Sequence, residues 1–134
     1  MKLTFVDSGV LVAAFRAKGR ESNPALAILD DPQRSFASSI FVKLEVVPKA
    51  TFLRRRDEVE FYEEFFRGVS KWALVGRDLT DHALEIASNA GLAAMDALHL
   101  AAAHQTRCEE LVTTEKPSKP IHRTSLMAIR TIHP

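Results

Sequence analysis

Four acidic residues lie in settings that ordinary surface carboxylates avoid. Asp7 closes a short apolar run, Leu3–Val6, and Glu115 follows a second run, Glu110–Thr113, in the same way. Glu45 is surrounded by Ile40, Val42, Leu44, Val46 and Val47, and Asp96 lies inside the almost wholly apolar stretch Gly91–Ala103. A carboxylate with such neighbours loses hydration unless it is paired, capping a helix or bound to metal. Gathered carboxylates also repel one another, and a hard cation such as Mg²⁺ or Mn²⁺ relieves that repulsion with oxygen ligands while keeping waters beside a phosphate. The chemistry implied is metal-assisted phosphoryl hydrolysis, in which the metal activates a water and polarises the phosphoryl group. A cysteine–histidine zinc centre is excluded, because Cys108 is the only cysteine. Each acid alone also has a structural reading: Asp7 and Asp96 as helix caps, Glu45 as a solvent-facing helix residue, Glu115 as a loop acid. The four together argue for chemistry.

Acids this far apart in sequence need a fold to gather them. Leu3–Val6, Ser35–Ala37, Trp72–Val75, Glu110–Thr113 and Ile129–Ile132 read as short strands. Helices are expected at Val10–Phe15, from Ser22-Asn23-Pro24 through Leu29, and from about Ile40 behind a Ser38-Ser39 cap. Pro48 is expected to kink or end the last of these, since it lacks an amide donor. Further helices are expected at Asp57–Val69, at Asp81–Ala90 between a Thr80 cap and a Gly91 stop, and at Ala93–Thr106. The stripe Val59, Tyr62, Phe65, Phe66, Val69 has helical spacing and reads as core. Strands alternating with helices predict an α/β domain with a mostly parallel sheet of four to five short strands flanked by helices. Ligands of such sheets bind at the carboxyl ends of the strands, so Asp7 and Glu115 are expected on one rim.

The 134 residues fit one domain, 1–134, and a hydrophobic fraction of 46% is ordinary for a globular protein. A single cysteine allows no internal disulfide, which suits a reducing cytoplasm. No apolar run reaches the length of a membrane span, and Asp7 interrupts the N-terminal run too early for a secretory signal. A soluble cytoplasmic protein is expected, with no membrane partner. A net charge of +1 neither favours nor excludes nucleic acid. Basic residues do cluster, at Arg54-Arg55-Arg56 and along the acid-free tail with Lys116, Lys119, Arg123 and Arg130. Such runs read as solvated faces, or as contacts to phosphate or an acidic partner.

Phe5-Val6-Asp7-Ser8, the Ser39–Val46 segment with Glu45, Met95-Asp96-Ala97-Leu98-His99-Leu100-Ala101-Ala102-Ala103 and Leu111-Val112-Thr113-Thr114-Glu115 occur in an order and spacing that resemble the PIN-domain family. The whole chain is covered, and its length is similar to the VapC-like toxin ribonucleases. The resemblance implies a three-layer PIN-like fold and Mg²⁺ or Mn²⁺ binding by Asp7, Glu45 and Asp96. It also implies endoribonuclease action on RNA, a cognate antitoxin and a homodimer. Thr113 matches a supporting hydroxyl, and Ser8 is placed to hydrogen-bond within the acidic cluster. Lys116 and Arg54–Arg56 are the expected RNA contacts.

One position departs from the pattern: Glu115 stands where the family usually has an aspartate. It is expected as a fourth metal acid, but its extra methylene leaves open whether one metal or two are held. The competing expectation is a catalytically impaired module that binds RNA or protein. His99, one turn beyond Asp96, reads as a packing or hydrogen-bonding histidine. A phosphotransfer domain also places an aspartate after its first strand, but Gly9 stands where a haloacid-type phosphatase needs its second acid.

Overall fold

The computed structural model describes residues 1–17 and 23–134, so Ser22, the first residue of the expected second helix start, lies outside the described residues. Strands β1 (Lys2–Val6), β2 (Arg34–Ser38), β3 (Lys71–Trp72), β4 (Glu110–Thr113) and β5 (Ala128–Thr131) form one sheet in the order β3-β2-β1-β4-β5. Every neighbouring pair is parallel. Helices α1 (Ser8–Arg16), α2 (Pro24–Leu29), α3 (Ile40–Phe52), α4 (Arg56–Arg67), α5 (Arg77–Ala90) and α6 (Ala94–Gln105) flank it. A 3₁₀ turn, Pro120–Arg123, lies between β4 and β5. The α/β architecture with a parallel sheet is as the alternating pattern predicts.

The middles of β1 and β4 are apolar because both strands are interior to the sheet and covered on both faces, while Thr4, Glu110 and Thr113 are their buried polar residues. Phe5, Val6, Leu111 and Val112 have no solvent exposure. α1 presents Val10, Leu11 and Ala14, and α6 presents Ala97, Leu100, Ala101 and Ala103, to the same connected core. The small alanines let α6 lie close to the sheet. Tyr62 and Phe66 of the aromatic stripe are buried, and Val59, Phe65 and Val69 pack against them. Among the described residues no helix is long and apolar enough to cross a membrane.

Several local expectations are corrected. Pro48 neither ends nor kinks α3 out of its helical run, which continues to Phe52. Pro48 faces solvent, where water replaces the lost hydrogen bond, while Val42, Val46 and Ala50 anchor the opposite side. Ser39 occupies the N-cap position of α3, but its hydroxyl makes no cap hydrogen bond. α5 starts at Arg77 behind Gly76, so Thr80 is inside the helix and donates back to the Gly76 and Arg77 carbonyls. Gly91 stops that helix as expected, in the left-handed region at φ 68°. β3 is only Lys71–Trp72, because it is an edge strand beside the last residues of β2; Leu74 and Val75 are exposed beyond it.

Candidate active site

The strand order reverses direction between β1 and β4, and that reversal opens a crevice at their carboxyl ends. Asp7 follows β1 directly. Its amide donates to the Val112 carbonyl of β4 at 3.1 Å, which fixes its backbone to the neighbouring strand. Its side chain caps α1, accepting from the Val10 amide at 3.1 Å through Oδ1. The other carboxylate oxygen, Oδ2, accepts from Thr113 Oγ1 at 2.5 Å. Thr113 Oγ1 also accepts from the Glu115 amide at 3.1 Å, so one hydroxyl ties the end of β1 to the turn after β4. The Glu115 carbonyl accepts from Thr131 Oγ1 at 2.6 Å and from His122 Nε2 at 3.1 Å. The backbone of Glu115 is thereby held without using its carboxylate.

Gly9 makes a close approach to the turn after β4. A Cβ there would collide with Thr114 Oγ1 and lie 3.4 Å from Asp7 Oδ1. The first turn of α1 therefore packs directly on the turn after β4.

Asp96 sits in the first turn of α6, where the helix N-terminus favours a carboxylate. The neighbours that made it look buried point the other way, since Ala97 and Leu100 enter the core while Asp96 is half-buried at the rim. Glu45, on α3, reaches His99 of α6: Oε1 and Nε2 are 2.6 Å apart. His99 is buried, its ring lies 6.0 Å from that of Phe5, and its Nδ1 has no hydrogen-bond partner among the described residues.

The electrostatics join these groups into one cluster. Burial pushes the Asp7 carboxyl above its ordinary value; Asp96 adds to the rise, and the hydrogen bonds from Thr113 and Val10 oppose it. Burial also raises Asp96, followed by the charges of Glu115 and Glu45, with His99 and Lys119 opposing. Among the described residues, no three histidine, cysteine, aspartate or glutamate side chains form a ready-made metal cage. The donors still fit a hard cation. They are carboxylate oxygens at one rim with insufficient matching positive charge, and Mg²⁺ commonly takes one or two carboxylates and keeps waters for the rest.

The expected residues divide as follows. At the carboxyl edge of the sheet Thr113 bonds both the Asp7 carboxylate and the Glu115 amide, Asp96 feels the charges of Glu115 and Glu45, and Glu45 itself is an exposed residue of α3. Ser8 opens α1 and makes no hydrogen bond to the acids; adjacent helix positions do not face one another, and Thr113 supplies the hydroxyl instead. Lys116 follows Glu115 and is exposed at the rim. Arg54 and Arg55 lie in the turn between α3 and α4 and Arg56 opens α4, beside Phe15, at the end of α1 opposite to Asp7. Arg55 pairs with Glu58 at 3.6 Å, and Arg54, at φ 56°, is the left-handed residue that closes α3. Cys108 is buried, and burial pushes its thiol up, as befits a packing residue. Two features were not anticipated: Lys119 near Asp96, and the buried hydroxyls of Ser38 and Ser39 at the end of β2, which have no partner among the described residues. The acid-free tail was the available signal for Lys119. The serines gave none, because they read as an ordinary cap.

The chain belongs to the PIN domain family, whose pattern matches residues 4–116. Its fold is similar to that of several solved toxin–antitoxin structures. A chain of VapBC2 from Rickettsia felis, bound to a DNA fragment from the promoter, superposes with a TM-score of 0.72 at 13% identity, covering 96% of this chain and 98% of that one. A toxin–antitoxin complex from Klebsiella pneumoniae gives 0.69 at 20% identity, covering 93% and 95%. DNA-bound VapBC from Salmonella typhimurium gives 0.70 at 14% identity, covering 98% of each chain. Comparison with curated proteins gives no match.

Proposed function

We propose that this chain is a metal-dependent endoribonuclease, the toxin of a toxin–antitoxin pair, acting in the cytoplasm as a single domain. The observation that carries the reading is the placement of Asp7, Asp96, Glu45 and Glu115 around the crevice between β1 and β4. Family membership and the likeness to toxin–antitoxin complexes support it. The exposed stripe Ile40, Leu44, Phe52 along α3 supports a protein partner, read here as the antitoxin or a second copy in a homodimer.

Asp7, Asp96 and Glu45 would hold Mg²⁺ or Mn²⁺, with Glu115 beside them. The ion supplies an activated water and neutralises charge on the phosphate oxygens when bound. The chain's own groups do the rest. Thr113 and the Val10 amide fix Asp7 in one rotamer, and His99 holds Glu45 toward the rim. The Asp96 carboxylate, unpaired and half-buried, orients water by accepting a hydrogen bond from it. Lys116 and Lys119 attract the RNA backbone to the same edge.

The test joins binding to turnover. The purified parent should bind Mn²⁺ and cut RNA, and Asp96→Asn should lose both. An Asp96→Asn protein that cut RNA at the parental rate would sink the assignment. A parent that bound RNA but neither bound Mn²⁺ nor cut would favour the impaired binding module.

A further inference from the structure

His82 and His104 meet on the surface between two helices. His82 belongs to α5 and His104 to the last turn of α6, and their ring centroids are 5.0 Å apart with the planes at 61°. The right-handed crossovers of a parallel sheet put α5 and α6 on the face opposite α1 and α2. Both helices are fixed to the core from beneath, α5 through Leu79, Ala83 and Ile86 and α6 through Leu100, Ala101 and Ala103. His104 is exposed and His82 is half-buried, so both rings are open to solvent ions. Among the described residues, the histidines that hydrogen-bond through their rings are His99 and His122, and the ring nitrogens of His82 and His104 have no protein partner.

We propose that this pair is a second metal site, a clamp that holds a borderline-soft divalent transition ion such as Zn²⁺ between α5 and α6. Imidazole nitrogen suits Zn²⁺, Cu²⁺ and Ni²⁺, whereas Mg²⁺ and Mn²⁺ favour oxygen. The spacing fits as well. With a Zn–N bond of about 2.1 Å a ring centre lies about 3.2 Å from the ion, and two rings at the tetrahedral angle lie about 5.2 Å apart. The observed separation therefore needs almost no change. Each ring has only to turn a nitrogen toward the gap, and neither has a hydrogen bond to break. No third histidine, cysteine, aspartate or glutamate joins them among the described residues, so water fills the other positions on the ion.

The place of the pair gives the clamp its effect. α5 and α6 form a helical hairpin, joined at one end by the short link between Ala90 and Ala94. His82 and His104 lie toward its open end, where no covalent connection holds the helices together. His104 stands eight residues beyond Asp96 on α6, about 12 Å along the helix axis. The clamp is therefore separate from the acids at the carboxyl edge of the sheet, and it does not depend on the nuclease reading.

Zn²⁺ titrated into the full chain in the presence of Mg²⁺, with the histidine rings followed by NMR, tests this. The His82 and His104 rings should shift together on one binding curve, and Mg²⁺ alone should leave both unmoved. His82→Gln should weaken Zn²⁺ binding at the His104 ring at least about tenfold, and His104→Gln should do the same at the His82 ring. At a Zn²⁺ concentration about a hundredfold above half-saturation the parent should gain about 5 °C or more in melting temperature, and each variant should lose most of that gain. Rings that fail to shift, that shift on separate curves, or whose shifts survive loss of the partner histidine would overturn the clamp. A Zn²⁺ effect confined to His99 or to the acidic rim would overturn it too, leaving two rings that are merely packed edge to face.

Discussion

The two ends of the central sheet treat buried acids in opposite ways. At the amino end, Glu110 accepts from Arg34 Nη1 at 2.8 Å and lies 3.7 Å from Lys2 Nζ. The same Arg34 also donates to Thr4 Oγ1 at 2.9 Å and to Asp31 Oδ2 at 3.1 Å, so each charge there is matched. At the carboxyl end, Asp96 feels the charges of Glu115 and Glu45, and Asp7 feels that of Asp96, with His99 and Lys119 the opposing groups among the described residues. Both regions bury carboxylates next to the same two strands. The charge of Glu110 is matched by Arg34 and Lys2, whereas the carboxyl-end acids are held in place by Thr113 and His99 yet have less positive charge beside them among the described residues. That shortage distinguishes a site able to attract a cation from a structural ion pair.

The contrast is broken most severely at the amino end. Arg34→Met leaves Glu110 buried with only a distant lysine, which should cost about 3 kcal/mol of stability or more. Thermal unfolding should show a fall of roughly 10 °C for a chain of this size. Adding Glu110→Met to that variant should restore most of the loss, because the unpaired charge is then gone. At the other end, Asp7→Asn should do the reverse. Asparagine still caps α1 and still meets the Thr113 hydroxyl, so the melting temperature should not fall. Cleavage of RNA should drop at least about a hundredfold, since even groups that only support metal ligands cost up to that much. A large loss of stability with activity intact would reverse the roles assigned to the two ends.

The sequence makes one end far more legible than the other. Asp7 and Glu115 are readable because acids directly after apolar runs must lie at strand ends, and parallel topology places strand ends on one rim. Asp96 is readable for a partly mistaken reason. Its apolar neighbours suggest a buried acid, but the helical turn sends them to the core and Asp96 to the edge. The Arg34–Glu110–Thr4 network is invisible, because its members come from three strands and nothing local marks them as partners. The bond between Glu45 and His99 is hidden likewise, joining α3 to α6 across 54 residues. Pro48 and Thr80 mislead because their local preferences are overridden by packing on the opposite helix face. Arg54–Arg56 look like a phosphate-binding run, yet one of them is used to end a helix.

A smaller effect isolates how the carboxyl-end acids are held. His99→Gln keeps a donor but not the reach or rigidity of the ring, so Glu45 should lose its fixed position. Mn²⁺ affinity should fall about tenfold with the fold intact. The acids also leave a trace in stability. Burial raises Asp7, so the folded chain keeps a proton that the unfolded chain has already released. The stability contributed in this way is complete below the ordinary value of 3.8 and is lost as pH rises through the raised value. Asp7→Asn has no such loss. In the presence of a chelator, its advantage in melting temperature over the parent should widen from mildly acidic to neutral pH, and a constant difference would argue that Asp7 is not held up by burial.

The finest distinction concerns Glu115, the one acid whose identity departs from the family pattern. Its backbone is fixed by Thr113, Thr131 and His122, none of which depends on its carboxylate. Glu115→Gln should therefore leave the melting temperature unchanged. After burial, the Glu115 charge is the largest influence raising Asp96. Removing it should let Asp96 ionise at lower pH, moving the acid limb of the cleavage rate toward lower pH when Mn²⁺ is saturating. The rate at neutral pH should change by less than about tenfold if Glu115 acts beside the metal acids rather than as one of them. A collapse of Mn²⁺ binding instead would make it a full ligand, and an unmoved acid limb would show that its longer side chain turns away from Asp96.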